Sequence, residues 1–471
     1  MRNTLFAVPL LVASAASAQA PAELSQAVRQ YVSVEAPVVA LTNVTVIDGT
    51  GAPARERQTI VIQDGKVAAL GARVSVPAGA RVIDLPEHTV IPGMVGLHDH
   101  LFYTAVGGRR VDLSYSAPRL YLGSGVTTIR TTGSNSPYSD INLKHEIAGG
   151  RQPGPTIFIT APYITGAGGS RTMAHVTTPE EARRFVAYWA EEGASWIKAY
   201  TDIHRSELAA AIDEAHARGL RVTGHLCSVT FEEAVALGID NLEHGLLTAS
   251  DFAPEKEADE CPNNVMVVAA HNADPAGPEA ARVIRTLIDN GVGMTSTLAV
   301  YEPFFPNRDV TDQRTLEAMA PEIREAYLEY RAQIDSATNY PLTREMLAKA
   351  MAFEKRFFDE GGILAAGVDP TGSGGALPGF GDQRNYELFI EAGFTPEQAV
   401  QVLTLNGARI LGHADRIGSV EAGKSADIVV IRGDLRRGAS TIRNVTLVFK
   451  DGIGFDPAKL IESVKGRVGI S

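Results

Sequence analysis

Short apolar runs alternate with helical segments along most of this chain, and few folds accept that alternation. Strand character falls at Thr89 to Met94, Val126 to Arg130, Thr156 to Thr160, Trp196 to Ala199, Arg221 to Gly224, Asn241 to Glu243, Gly293 to Leu298 and Ile363 to Val368. Helix starts lie between them. Thr178-Pro179-Glu180-Glu181 and Thr395-Pro396-Glu397-Gln398 each join an N-cap, a proline at the first helical position and Glu or Gln at the third. Ser206 and Thr230 are expected to open two more helices that stop at Gly219 and Gly238. Eight such units predict an α/β fold, a (β/α)8 TIM barrel, whose active sites lie at the C-terminal ends of the strands.

The flanks read differently. Val38 to Ile91 and the closing runs Asp427 to Ile431 and Thr446 to Lys450 are short β-rich stretches, with turn pairs at Asp48-Gly49, Asp64-Gly65 and Asp451-Gly452. Neither set alone buries a core, so a small β-sandwich built from both chain ends is expected, residues 37–91 with 421–460, around a barrel of 92–420. Residues 1–20 have Arg2, an apolar run Leu5 to Val12 and then small residues, the order of a secretory signal peptide cleaved after Ala18. The mature protein is therefore expected in the periplasm or outside the cell. No later segment reads as a stable membrane anchor. Export permits a disulfide between the two cysteines, Cys227 and Cys261, which both follow strand ends. A net charge of -12 argues against nucleic acid as a partner and leaves a small-molecule substrate, with a homo-oligomer also compatible.

In a barrel the residues that end strands share one mouth. Here they are His98 and His100 after the first strand, Lys198 after the fourth, His225 after the fifth, His244 after the sixth and Asp369 after the eighth. Singly, a core histidine, a surface lysine or an Asx turn explains each of them. Together they make a metal site.

His98-Asp99-His100, Lys198, Gly224-His225, Glu243-His244 and Gly367-Val368-Asp369 stand in an order that resembles the amidohydrolase superfamily, in its imidazolonepropionase-like and Xaa-Pro dipeptidase-like branch. The resemblance implies two divalent metal ions, with zinc suiting the donors, and carboxylation of Lys198 into a bridging ligand. His98, His100 and Asp369 would hold one ion, His225 and His244 the other. It also implies hydrolysis of an amide or peptide bond, in a dipeptide, Xaa-Pro or N-acyl amino acid substrate, by a metal-bridged hydroxide with Asp369 as base. Tyr200, two residues beyond Lys198, is a second catalytic candidate as a donor to the carbonyl oxygen or to a substrate carboxylate. Arg171, His175 and His271 fall in expected substrate loops. An ester, lactone or cyclic-amide hydrolase, a mononuclear deaminase and a non-catalytic metal- or ligand-binding barrel are the alternatives. Residues 372–375 read as a flexible active-site loop and 309–356 as a helical cover over the mouth.

Overall fold

At Gly93 the chain leaves one sheet and enters another. In the computed structural model, which describes residues 23–470 apart from 255, 339 and 371–374, His88–Pro92 pairs antiparallel with Ile428–Arg432. Met94–Asp99 instead lies parallel to Val126–Thr131 and Leu364–Ala366. The single strand expected at Thr89 to Met94 is thus two strands of two sheets. A Cβ at Gly93 would sit 2.0 Å from Thr127 Oγ1, so only glycine lets the backbone pass this close. The Gly93 N–H donates across the junction to the Asp427 carbonyl at 2.8 Å. The expected signal peptide and residues 372–374 lie outside the described residues.

The second sheet has ten strands, all parallel. Its order is Thr156–Phe158, Val126–Thr131, Met94–Asp99, Leu364–Ala366, Gly293–Ser296, Asn241–Glu243, Arg221–Gly224, Trp196–Ala199, Thr160–Thr165 and Ala174–His175. The third expected strand is split. Its halves are separated by Ile159 alone, one pairing with Val126–Thr131 and the other with Trp196–Ala199. All of these central strands are buried, which suits a parallel sheet covered by helices.

Local signals place several helices. Thr178 accepts from the Glu181 N–H, and Thr230 with Glu233 and Thr395 with Gln398 form reciprocal capping boxes. Ser206 does not open its helix. That helix runs Arg205–Ala217, and the orphan N–H of Arg205 is taken by Asp259 Oδ1 at 2.8 Å, a partner 54 residues away. Gly219 and Gly238 adopt φ of +74° and +92° beyond the ends of their helices. The helical segment after the seventh strand breaks between Pro321–Ser336 and Arg344–Asp359, around Pro341.

Both chain ends enter the first sheet, which has nine strands and runs from Val32–Val34 through Ile453–Phe455, Val445–Lys450, Ile428–Arg432, His88–Pro92, Val38–Val46 and Arg55–Gln63 to Lys66–Gly71. Arg81–Asp84 joins it alongside Val38–Val46. Asp64-Gly65 and Asp451-Gly452 make the expected two-residue turns, all four residues with positive φ. Val39, Leu41, Ile60 and Ile62 from one end pack with Ile428, Val430 and Phe449 from the other in a buried cluster. No helix among the described residues is long and apolar enough to cross a membrane.

Cys227 and Cys261 are joined by a disulfide, with Cα atoms 5.4 Å apart. The bridge spans 34 residues of sequence, which in the chain-entropy account stabilises by about 3–4 kcal/mol. Replacing both cysteines by serine should lower the unfolding free energy by about 3 kcal/mol in urea; an unchanged midpoint would contradict the account. A second test concerns Glu354, buried on the Arg344–Asp359 helix with Oε2 accepting from Ser296 Oγ at 2.7 Å. Burial pushes its carboxyl up to about 8, so the folded chain keeps a proton that the unfolded chain loses near pH 4 to 5. Stability from this group therefore falls as pH rises from about 5 to 8, and Glu354→Gln should flatten the melting temperature against pH over that window. Parallel profiles for the two proteins would contradict the assignment.

Candidate active site

The strand ends bring the histidines together as a chain of rings. His100 and His98 have centroids 5.3 Å apart, His98 and His244 4.4 Å, His244 and His225 4.4 Å, and His225 and Tyr200 4.5 Å. Tyr163 joins Tyr200 at 5.5 Å to His100 at 6.1 Å and completes the circuit. Ligand atoms of His98, His244 and Asp369 all lie within 4.8 Å of one another. Asp369 Oδ1 is 3.2 Å from His100 Nε2, and its Oδ2 is 3.5 Å from His98 Nε2.

Three of the four histidines place Nδ1 against an oxygen. Nδ1 of His98 meets Glu243 Oε2 at 2.8 Å, that of His100 the Gly133 carbonyl at 3.2 Å, and that of His244 Thr297 Oγ1 at 2.6 Å. This leaves Nε2 to face the middle, the usual arrangement of imidazoles that hold a metal. His244 Nε2 is buried and has no hydrogen-bond partner among the described residues. His244 and Asp369 also hold φ of +69° and +46°, a conformation non-glycine residues rarely adopt and one that clusters at functional sites.

Electrostatics favour neutral imidazoles. Burial pushes the His98 and His244 rings well below their ordinary values and His225 down to about 3, so each keeps a lone pair for coordination. Lys198 Nζ is wholly buried, lacks a hydrogen-bond partner among the described residues and lies 3.9 Å from Glu243 Oε1. Burial lowers its ammonium to about 8. Glu243 is buried too; burial alone would raise its carboxyl, but Lys198 and Arg130 outweigh that and hold it below the ordinary value. Two orphaned buried nitrogens beside a carboxylate and inward-facing imidazoles fit a divalent cation.

A cavity of about 320 Å³ opens over these groups, walled by His98, His100, His225, His244 and Asp369 with Phe102, Tyr163, Tyr200, Tyr301 and Phe304. Arg110 supplies its cationic guanidinium, bonded to Asn135 Oδ1. The hairpin that carries Arg110, Phe102–Thr104 with Arg110–Asp112, gave no signal in the sequence beyond its place after His100. Arg171, His175 and His271 are exposed and do not line the cavity. His175 is turned onto its own loop, with Nε2 3.0 Å from the Ser170 carbonyl, and His271 lies in the last turn of the helix Val265–Asn272. Nor does any described residue of 309–356 line the cavity wall. Among the groups not singled out from sequence are Arg130, Gly133, Tyr163, Thr297 and Tyr301; a polar residue beside a strand end was the available signal for Thr297.

Gly367 makes the Asp369 position reachable. A Cβ there would fall 2.2 Å from the His98 backbone nitrogen, while the Asp369 N–H donates to the His98 carbonyl at 2.7 Å. Gly367→Ala should therefore cost about 2 kcal/mol or more in chemical denaturation, and an unchanged stability would show that the two strands do not approach this closely.

The chain is 23% identical over 412 residues to the dihydroorotase of Pelotomaculum thermopropionicum, covering 83% of this chain and 88% of that enzyme. Among solved structures, a Xaa-Pro dipeptidase with bound methionine in its active site superposes with a TM-score of 0.66 at 21% identity, over 89% of this chain and all of that one. The bottromycin amidohydrolase gives 0.67 at 18% identity, over 91% of each chain. At these identities the two structures speak for the fold alone. The sequence profile of the amidohydrolase family matches residues 89–454, more than three quarters of the chain. The chain belongs to the amidohydrolase family and is a hydrolase acting on carbon–nitrogen bonds.

Proposed function

We propose that the protein is an exported, binuclear amidohydrolase that cleaves the amide bond of a dipeptide, an Xaa-Pro peptide or an N-acyl amino acid. The observation that carries this reading is Lys198: a buried amine with no hydrogen-bond partner among the described residues, whose charge is felt by His98, His225 and His244. A lysine so placed has a role once its nitrogen is carboxylated. Burial favours the neutral amine, which is the form that reacts with carbon dioxide.

In this reading His98, His100 and Asp369 would hold one ion, His225 and His244 would hold the other, and carboxylated Lys198 would add an anionic oxygen ligand to the pair; zinc suits the donor set. Two such ions, when bound, supply Lewis acidity to the substrate carbonyl and make water acidic enough to attack at neutral pH. Asp369 accepts the proton of the attacking water and delivers it to the leaving amine. Tyr200, its phenol pushed up to about 12 by burial, stays protonated and donates to the carbonyl oxygen. Arg110 on the cavity wall, in place of Arg171, which does not line the cavity, meets a substrate carboxylate. Phe102, Tyr301 and Phe304 exclude water around the scissile bond.

The architecture proposed with it is a (β/α)8 barrel over 92–420, closed through the strand broken at Ile159, and a β-sandwich from 37–91 and 421–460. The Cys227–Cys261 disulfide supports an oxidising compartment and hence export. The test is hydrolysis by the purified protein of dipeptide, N-acyl amino acid, lactone and ester panels. Carboxylate-bearing amides should be cleaved, Asp369→Asn should lower kcat about a thousandfold with the fold intact, and Arg110→Met should act mainly on KM. Turnover of lactones or esters only, or an active Asp369→Asn enzyme, would contradict the reading.

A further inference from the structure

Glu243 has no step in the reaction proposed above, yet four side chains converge on its carboxylate. Oε1 accepts from Arg130 Nη2 at 2.5 Å, from Asn241 Nδ2 at 3.1 Å and from the Thr223 hydroxyl. Oε2 is left facing His98 Nδ1 at 2.8 Å. Arg130 is itself fixed, since its Nε donates to the Leu97 carbonyl at 2.8 Å and its guanidinium lies 4.4 Å from the Trp196 ring centroid.

An ionised carboxylate offers acceptors only. The atom between Glu243 and His98 must then be a proton carried by Nδ1, which leaves the lone pair of the ring on Nε2, the nitrogen 3.5 Å from Asp369 Oδ2. We infer that Glu243, clamped by Arg130, is a positioning residue that fixes His98 as its Nδ1–H tautomer and aims the basic nitrogen at the ion site. What Nε2 holds rests on the metal reading; the tautomer does not. A glutamine in the same place reverses the polarity. Its carbonyl oxygen answers the donors of Arg130, Asn241 and Thr223, so its NH2 faces Nδ1, which then has to accept, and the ring proton moves to Nε2.

The experiment is nitrogen NMR of the metal-free, full-length mature protein labelled with 15N-histidine, with His98 assigned from His98→Gln. Wild type and Glu243→Asp, both carrying a carboxylate, should show His98 protonated on Nδ1; Glu243→Gln should show it protonated on Nε2. Metal titration of the same samples should show Glu243→Gln binding about 10- to 100-fold more weakly. His98 in the Nδ1–H form in folded Glu243→Gln overturns the inference. So does the Nε2–H form in wild type, a result that decides the matter even where the glutamine variant fails to fold. A tautomer flip in a protein that binds no metal would support the inference while removing the metal reading, so the two fail separately.

Discussion

A full negative charge on Glu243 sits where no water reaches it, and much of the site follows from how that charge is answered. Arg130 and Glu243 side chains are both 0% exposed and bonded at 2.5 Å. Taking two such charges out of water costs several kcal/mol each, and their attraction repays this only when the remaining lone pairs and protons are satisfied. Thr223, Asn241 and His98 satisfy those of the carboxylate; Leu97 accepts from Arg130 Nε and Trp196 lies beside the guanidinium, whose Nη1 has no hydrogen-bond partner among the described residues. Removing either partner of such a pair typically costs about 3–5 kcal/mol, because the other charge is stranded. The network ties five parallel strands to one point, and one branch of it ends on a histidine of the cavity.

The same absence of water acts on the histidines and on Lys198. It keeps the imidazoles of His98, His225 and His244 neutral and weakens the ammonium form of the lysine, so each of these groups can offer a nitrogen lone pair to a cation. Above them the aromatic wall and Arg110 leave a cavity with one strong cationic feature that is not histidine. In the proposed reaction, chemistry and recognition are thereby divided between the strand ends and the loops that follow them.

Much of this was legible in the sequence because it is written locally. Alternating apolar runs and capping residues located most central strands and several helices, and five of the six residues that end the strands, all but the buried Lys198, now line one cavity. What was not legible depends on contacts between distant segments. Gly93 reads as an ordinary turn glycine until Thr127 is placed beside it. Arg205 starts its helix one residue early because Asp259 supplies the cap from 54 residues away. Arg130 lies inside a buried, threonine-rich strand and gains its meaning only from Glu243, while Arg171 looked suitable by loop position and instead is exposed away from the cavity. Sequence order shows which residues share a strand end; it does not show which way a loop folds back.

The central claim is that carboxylated Lys198 joins two ions, and metal content per chain tests it most directly. Plasma mass spectrometry on wild type and Lys198→Ala, both expressed with the same zinc supply, should find about two ions per chain falling to one or none in the variant. One ion in both proteins would contradict the account, leave Lys198 without a role at the site and favour a mononuclear reaction such as deamination.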